Sequence, residues 1–217
     1  MKQQDWLLSW KWRYATKVFD STKKIESPLI HRLLEGLRLS PSSFGLQLWK
    51  FLVIEDVKLK KLIRPLAWNQ AQIEDCSHLI ILCRKDNVTD DDINKYIQYN
   101  FKIRNIPIES QQGFYKIVKE FLSKKNPSET QSWLSHQTYI ALGALMLSAA
   151  IEEVDSCPIE GFDQSAVNQL LKLPEQGLHA QALCALGYRS CADTWARKDK
   201  VRYPSEDLIH WIDQVPK

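Results

Sequence analysis

The sequence predicts an α+β sandwich built as one domain over residues 1–217, and three observations predict it. Strand-like and helix-like segments are mixed along the chain, with a long helical middle and few strict strand-helix alternations, which favours α+β over a doubly wound sheet. The 217 residues are 44% hydrophobic and 25% charged, the balance of a chain that folds and is long enough to bury roughly two-thirds of its unfolded surface. No internal repeat or linker divides it.

Each element has its own signal. Ser27-Pro28 reads as a helix start, the hydroxyl capping free amides and the proline sitting where its missing N–H does no harm. Leu29, Ile30, Leu33, Leu34 and Leu37 follow on one helical face until Ser40-Pro41 stops the run. Trp49 to Ile54 and His78 to Cys83 are apolar runs of strand length, with one or two short helices between them. Asp90-Asp91-Asp92 suits the positive end of a helix dipole and starts a helix through about Arg104. Further helices are expected near 110–124 and 129–153. Val154 to Cys157 and His179 to Tyr188 read as two more strands, with Asp163 capping the helix between them. From Asp193 to Lys217 the chain is polar up to Tyr203-Pro204 and then apolar at Leu208, Ile209, Trp211 and Ile212, either a mobile end or an arm that packs on a partner subunit.

Composition removes several function classes. Twenty-nine Lys and Arg against 26 Asp and Glu leave +3, too small a surplus to grip a phosphate backbone, so no nucleic-acid partner is expected. There are only 7 glycines, and the nearest two are Gly36 and Gly45, so neither a dinucleotide fingerprint nor a P-loop can be written. Cys76, Cys83, Cys157, Cys184 and Cys191 form no Cys-x-x-Cys pair and read as reduced, buried thiols. The histidines lack metal-ligand spacing, and no metal site is expected. Met1 to Trp12 carries Lys2, Asp5 and Lys11 and has no long apolar core, so a secretory signal is not expected and a cytoplasmic protein is. Thr130 to Ile151 is free of charge and nearly of bilayer length, but Ser132, Ser135, His136, Gln137 and Thr138 interrupt it and no Lys or Arg flanks it directly. It reads as a core or subunit-interface helix, not a membrane span. No serine or cysteine has a recognisable base beside it, which leaves hydrolase chemistry without support.

The candidate binding residues are scattered. Arg13 and Lys17 lie near one end, Lys200 and Arg202 near the other, and each pair alone is ordinary surface charge. A phosphate held without a glycine loop needs guanidinium and ammonium groups, whose charge-assisted bonds are about twice as strong as neutral ones. Pro41-Ser42-Ser43 offers hydroxyl and amide donors in a turn, and Gln47 and Asn69 can bond the edge of a heteroaromatic ring. Cys157-Pro158-Ile159-Glu160-Gly161-Phe162 is a place where backbone can run close against a flat ligand, or simply a strand-to-helix loop. Glu160 has no partner at a spacing that marks a general base.

Five landmarks in order resemble the FMN-dependent nitroreductase family, most closely its oxygen-insensitive nitroreductase and dihydropteridine reductase branch. They are Arg13-Tyr14-Ala15-Thr16-Lys17-Val18-Phe19-Asp20, Ser40 to Trp49, Asp75-Cys76-Ser77-His78, Pro158 to Phe162, and Lys200-Val201-Arg202. The resemblance spans nearly the whole chain. It implies a central, mostly antiparallel sheet flanked by helices in an intertwined homodimer, with the arm of about 193–217 exchanged between subunits. It also implies FMN as cofactor and NAD(P)H as hydride donor, with both NAD(P)H and a small-molecule acceptor using one pocket in turn. By the same likeness Arg13, Lys200 and Arg202 hold the phosphate, with Tyr14 and Ala15 beside them. Lys17 lies near the pyrimidine edge, where its charge favours reduced flavin. Pro41, Ser42, Ser43, Gln47, Asn69 and Gln72 border the ribityl chain and ring. Pro158, Ile159, Glu160 and Gly161 pack on one face, with the Glu160 amide toward flavin N5. No side chain is expected to act as catalytic acid or base, because the cofactor carries the chemistry.

The chain departs from that pattern in four places. Ala15 replaces a phosphate-bonding serine, removing a donor worth about 1 kcal/mol. Gln72 replaces a second lysine, which predicts a lower midpoint potential than in relatives that have it. Leu48 replaces the proline of Gln-Pro-Trp, and Phe44 a smaller residue of the substrate groove. Phe44 and Trp68 either line that groove or only pack at the subunit seam. Phe114, Tyr115 and Phe121 are candidates for a mobile aromatic over the ring. The alternative reading is a non-catalytic flavin-binding or partner-binding dimer that kept the fold.

Overall fold

The computed structural model describes residues 6–213. Four strands form one sheet in the order β1-β2-β4-β3, with every neighbouring pair antiparallel: β1 (Trp49–Ile54), β2 (His78–Lys85), β3 (Asp155–Ile159) and β4 (Leu178–Gly187). This is the expected α+β arrangement. Alternate side chains of β2 point to opposite faces. Leu79, Ile81 and Cys83 join a core with Ile63, Ile73 and Val167, while Ile80 and Leu82 join a second core with Leu33, Leu37, Ala141 and Leu145. The sheet therefore lies between two helical layers and has no wet face at its centre.

One layer holds α3 (Val57–Ile63), α4 (Ala71–Asp75) and α8 (Gln164–Leu170), the other α2 (Ser27–Arg38) and α7 (Pro127–Ile151). A third apolar cluster lies under α5 (Asp90–Arg104) and α6 (Gln112–Ser123), where Leu46 and Leu48 meet Ile93, Ile97, Val118 and Leu134. α7 is long and apolar enough to cross a membrane by length and composition, but Ala141, Leu142, Leu145 and Ala149 spend that apolarity on the sheet and α2.

Helix starts follow local chemistry. Thr89 and Asp92 form a reciprocal capping box on α5, and Asn126 and Glu129 form another on α7. The α7 cap sets its start at Pro127, two residues before the expected Glu129. Ser27 is not a cap. Glu26 takes the extended cap position without a side-chain bond, Ser27 is already helical, and its hydroxyl faces His31 Nδ1 at 3.4 Å. The proline is tolerated anywhere in the first turn, so the Ser-Pro pair located the start to within one residue. The expected 110–124 helix is present as α6, and a tight turn at Glu109–Gln111 leads into it.

β3 runs on through Pro158 to Ile159, beyond the expected end at Cys157. It is an edge strand, where a residue without N–H is allowed. The segment after α1 (Trp6–Trp12) lies against it: Ala15 bridges Ser156, Thr16 N–H donates to the Ser156 carbonyl at 3.3 Å, and Phe19 bridges Arg189. This pairing brings the two ends of the sequence together. Residues 214–217 of the expected arm lie outside the described residues, and Leu208, Ile209, Trp211 and Ile212 are all exposed.

Candidate functional site

An open groove of about 660 Å³ runs between Lys11–Lys17 and Trp195–Arg202. Arg13, Lys17, Lys200 and Arg202 all line it, together with Lys11 and Lys198, and Asp199 is the one acid in the lining. Arg13 is half-buried, and its Nε is buried without a hydrogen-bond partner. Burial lowers the Arg13 pKa, and the charge of Arg202 lowers it further. Lys200 is lowered by burial and then by Arg13 and Arg202, while its ammonium donates to the Arg13 carbonyl. Three cations thus repel one another at close range, and one guanidinium nitrogen lacks an acceptor. A phosphate dianion fits this donor set: it supplies the missing acceptor and offsets the repulsion.

Two buried carboxylates hold this arrangement. Asp155 accepts from Arg189 Nε at 2.8 Å and from Arg189 N–H at 2.7 Å, and the guanidinium stacks on Trp12 and Tyr14 with centroid distances of 4.2 and 4.7 Å. Asp193 accepts from the Tyr14 hydroxyl at 2.9 Å, Lys17 N–H at 2.8 Å, Val18 N–H at 3.1 Å and Trp195 N–H at 2.9 Å. Burial and the Asp193 bond push the Tyr14 pKa far up, so the phenol stays a donor.

The same outer edge of β3 leads from Ser156 to the next predicted group. The Ala15–Ser156 bridge carries Arg13 and Lys17 past this strand; burial lifts the Cys157 thiol, and the charges of Lys17 and Arg13 pull it back. Pro158 and Ile159 end β3, and Gly161 lies against Trp68 so closely that a Cβ there would meet the ring at 2.6 Å. Trp68 and Asn69 adopt left-handed backbone at φ 51° and 55°, and Gln70 Nε2 ties their turn to the Gly161 carbonyl at 2.8 Å. Trp68 is 78% exposed, so one face of its ring is free. Asn69 Oδ1 accepts from Arg64 at 2.9 Å. Gln72 is half-buried on α4. The Glu160 carboxylate accepts from the Tyr139 hydroxyl, whose pKa burial and this bond both raise.

The Pro41–Gln47 turn is separate. Ser43 N–H donates to Gln137 Oε1 at 2.8 Å, Gln47 N–H donates to Ser42 Oγ at 3.0 Å, and Gln47 lines a different groove with Arg38, Lys50, Lys95 and Tyr99. Phe44 turns inward at φ 56° onto Phe121, Phe114 and Trp133, with centroid distances of 5.1, 6.3 and 6.5 Å. Within one chain the structure brings Arg13, Tyr14, Ala15, Lys17, Lys200 and Arg202 together and sets Pro158–Gly161 beside them, while Pro41–Gln47 stays apart. Sequence reasoning missed Asp155, Asp193, Arg189, Tyr139 and Gln137, whose partners are distant in the chain. Asp193 alone had a local signal, as the cap of the turn at Thr194–Arg197.

The family model described as Nitroreductase matches residues 10–188. A Staphylococcus saprophyticus protein provisionally named an NAD(P)H nitroreductase is 36% identical, with 97% of this chain and 98% of that protein covered. A Staphylococcus haemolyticus protein of the same provisional name is 37% identical, with 97% and 98% covered. Among solved structures, a provisionally assigned nitroreductase from Exiguobacterium sibiricum in complex with FMN superposes at TM-score 0.84, with 22% identity and 98% and 99% of the two chains covered. A nitroreductase-like protein from Streptococcus mutans superposes at 0.85, with 19% identity and 96% and 98% covered.

Proposed function

The chain belongs to the nitroreductase family, an oxidoreductase family, and on that premise we propose that it is an FMN-dependent NAD(P)H oxidoreductase acting as a homodimer on nitroaromatic, quinone or pteridine-like acceptors. The observation that carries this reading is the Arg13–Lys200–Arg202 cluster, three mutually repelling cations with an orphaned guanidinium nitrogen. The FMN complex of the Exiguobacterium protein supports the choice of mononucleotide.

The chemistry FMN supplies when bound is two-electron transfer at N5, hydride in from NAD(P)H and out to the acceptor in alternation. The protein's part is binding and electrostatics. Arg13, Lys200 and Arg202 hold the phosphate, and Ala15 leaves one hydroxyl donor out of that shell. Lys17 holds positive charge toward the pyrimidine edge and favours the reduced, anionic state. Gly161 lets the Trp68 ring lie against the backbone that presents the Glu160 amide, giving an apolar wall that keeps water off the ring face. No side chain is assigned as acid or base.

The Ser42 and Ser43 hydroxyls and the Gln47 side-chain amide lie apart from the cation groove of their own chain and reach the ligand from a second copy. Exposed Trp6, Leu8, Val201, Tyr203, Leu208 and Trp211 form the kind of apolar surface that a partner covers. Purified protein is expected to be yellow, or to take up added FMN, and to bleach under NADH or NADPH without oxygen. Colour without bleaching would make it the flavin-binding dimer instead, and protein that takes up no FMN would overturn both readings.

A further inference from the structure

We propose that Asp193 is a positioning residue for the phosphate-binding cations, a clasp that holds the segment carrying Arg13 and Lys17 against the segment carrying Lys200 and Arg202. The proposal rests on the reading of that cluster as the FMN phosphate site.

Asp193 is 2% exposed, yet no lysine or arginine among the described residues pairs with it. A buried carboxylate without a counter-ion is costly unless its lone pairs are taken up. Here they are, and the partners are divided between two segments. Oδ2 takes the Tyr14 hydroxyl and the Lys17 and Val18 amides, and Oδ1 takes the Trp195 amide. Tyr14 adjoins Arg13, and Lys17 is itself a groove cation. Trp195 lies in the turn at Thr194–Arg197 that leads to Lys200.

The two segments depend on this group unequally. Residues 13–19 are also fixed by the Ala15–Ser156 and Phe19–Arg189 bridges and by the Thr16 hydroxyl on Asp155. Residues 195–202 have much less: the Lys198 ammonium on the Trp195 ring at 3.6 Å, turn amides, and the Lys200 bond to the Arg13 carbonyl. Like charge pushes Lys200 and Arg202 away from Arg13, so a tie independent of the ligand is needed to keep the three converged before it arrives. Donors that are fixed in advance bind more tightly because ordering them costs nothing on association.

Asparagine at this position is a nearly isosteric probe with a sharp defect. Its single carbonyl can serve the three donors on one side, but its NH2 group then faces the Trp195 amide, donor against donor. Asp193→Asn therefore releases the Lys200–Arg202 segment while leaving Tyr14, Lys17 and Val18 in place. Tyr14→Phe removes one donor and keeps the carboxylate.

The test compares FMN with riboflavin, which lacks the phosphate, by flavin fluorescence titration of the full chain. Wild type is expected to prefer FMN strongly. Asp193→Asn should weaken FMN by roughly 10–100-fold, the worth of charge-assisted bonds, while changing riboflavin by less than about 3-fold. Asp193→Glu should restore part of the loss, and Tyr14→Phe should weaken FMN by about 3–10-fold. A wild type that binds both flavins equally would remove the phosphate site itself. A wild type that discriminates, with an Asp193→Asn that still does or that loses both ligands alike, would remove the clasp only. Should Asp193→Asn not fold, Tyr14→Phe decides by the same comparison.

Discussion

Replacing Phe44 with alanine and, separately, with glycine separates packing from backbone strain at one position. The ring packs on Phe121, Phe114 and Trp133, two of the three contacts edge-to-face at 68° and 81°. A fully buried Phe→Ala costs about 3–5 kcal/mol, and a half-buried ring about half of that, near 2 kcal/mol. The backbone adds a second term, because Phe44 sits at φ 56° and ψ 3°. An L side chain in that region costs roughly 1–2 kcal/mol, and glycine does not carry the cost. Alanine keeps the strain and loses the ring, whereas glycine loses both. Phe44→Gly should therefore be about 1 kcal/mol more stable than Phe44→Ala, the reverse of the usual order. With a slope of about 2 kcal/mol/M, urea midpoints at fixed protein concentration should fall by about 1 M for alanine and about half that for glycine. An alanine variant with the wild-type midpoint, or a glycine variant below alanine, would refute the reasoning. An unchanged midpoint with a wider range of accepted nitroaromatics or quinones would instead assign the ring to the substrate groove.

Other consequences follow from the site. Gly161→Ala puts a methyl at 2.6 Å from the Trp68 ring. The exposed indole must swing away, so we expect a shift in tryptophan emission and slower reduction of bound flavin, and unchanged emission would argue against the close approach. On the proposed reading Gln72→Lys adds a positive charge near the flavin ring and should raise the FMN midpoint potential, measured by anaerobic dye titration; a potential that stays or falls would contradict the placement of α4 at the flavin. Lys200 has its pKa lowered by burial and by Arg13 and Arg202. Its charged form, the one that would bind phosphate on the proposed reading, is therefore complete at lower pH and lost as pH rises through the lowered value. FMN affinity should fall on the alkaline side, and Lys200→Arg should move that fall to higher pH. An identical alkaline limb in both proteins would exclude Lys200 as its source.

What the sequence revealed depended on whether a signal was local. α2 was legible because its apolar residues share one face, β2 because a run buried on both faces is continuously apolar, and α7 because its charge-free stretch had to be buried somewhere. The register of Ser27 was lost by one residue, since a proline satisfies any position of the first turn. Lys60 was invisible: it reads as a surface residue of α3, yet it is fully buried, its ammonium donates to the Cys76 carbonyl at 2.5 Å, and burial lowers its pKa. The convergence of Arg13 with Lys200 and Arg202 is a property of chain path. It came from the family resemblance, and the Phe19–Arg189 bridge, the Asp193 bonds to Tyr14, Lys17, Val18 and Trp195, and the Lys200 bond to the Arg13 carbonyl supply its physical basis. Asp193 and Asp155 escaped because a buried acid that serves amides looks, in one dimension, like any other acid.

Pro158 determines which side of the sheet stays open for growth. Ser156 turns its carbonyl outward to Thr16, so Pro158, two residues on, faces outward as well, and the outward position that follows the Thr16 bond offers no N–H at all. β3 is thereby sealed, half by a neighbouring segment and half by an imino acid. Any extra strand that lengthens this sheet, from another molecule or from an aggregating chain, has to register against Trp49–Ile54, and backbone-blocking substitutions aimed at such recruitment belong on β1.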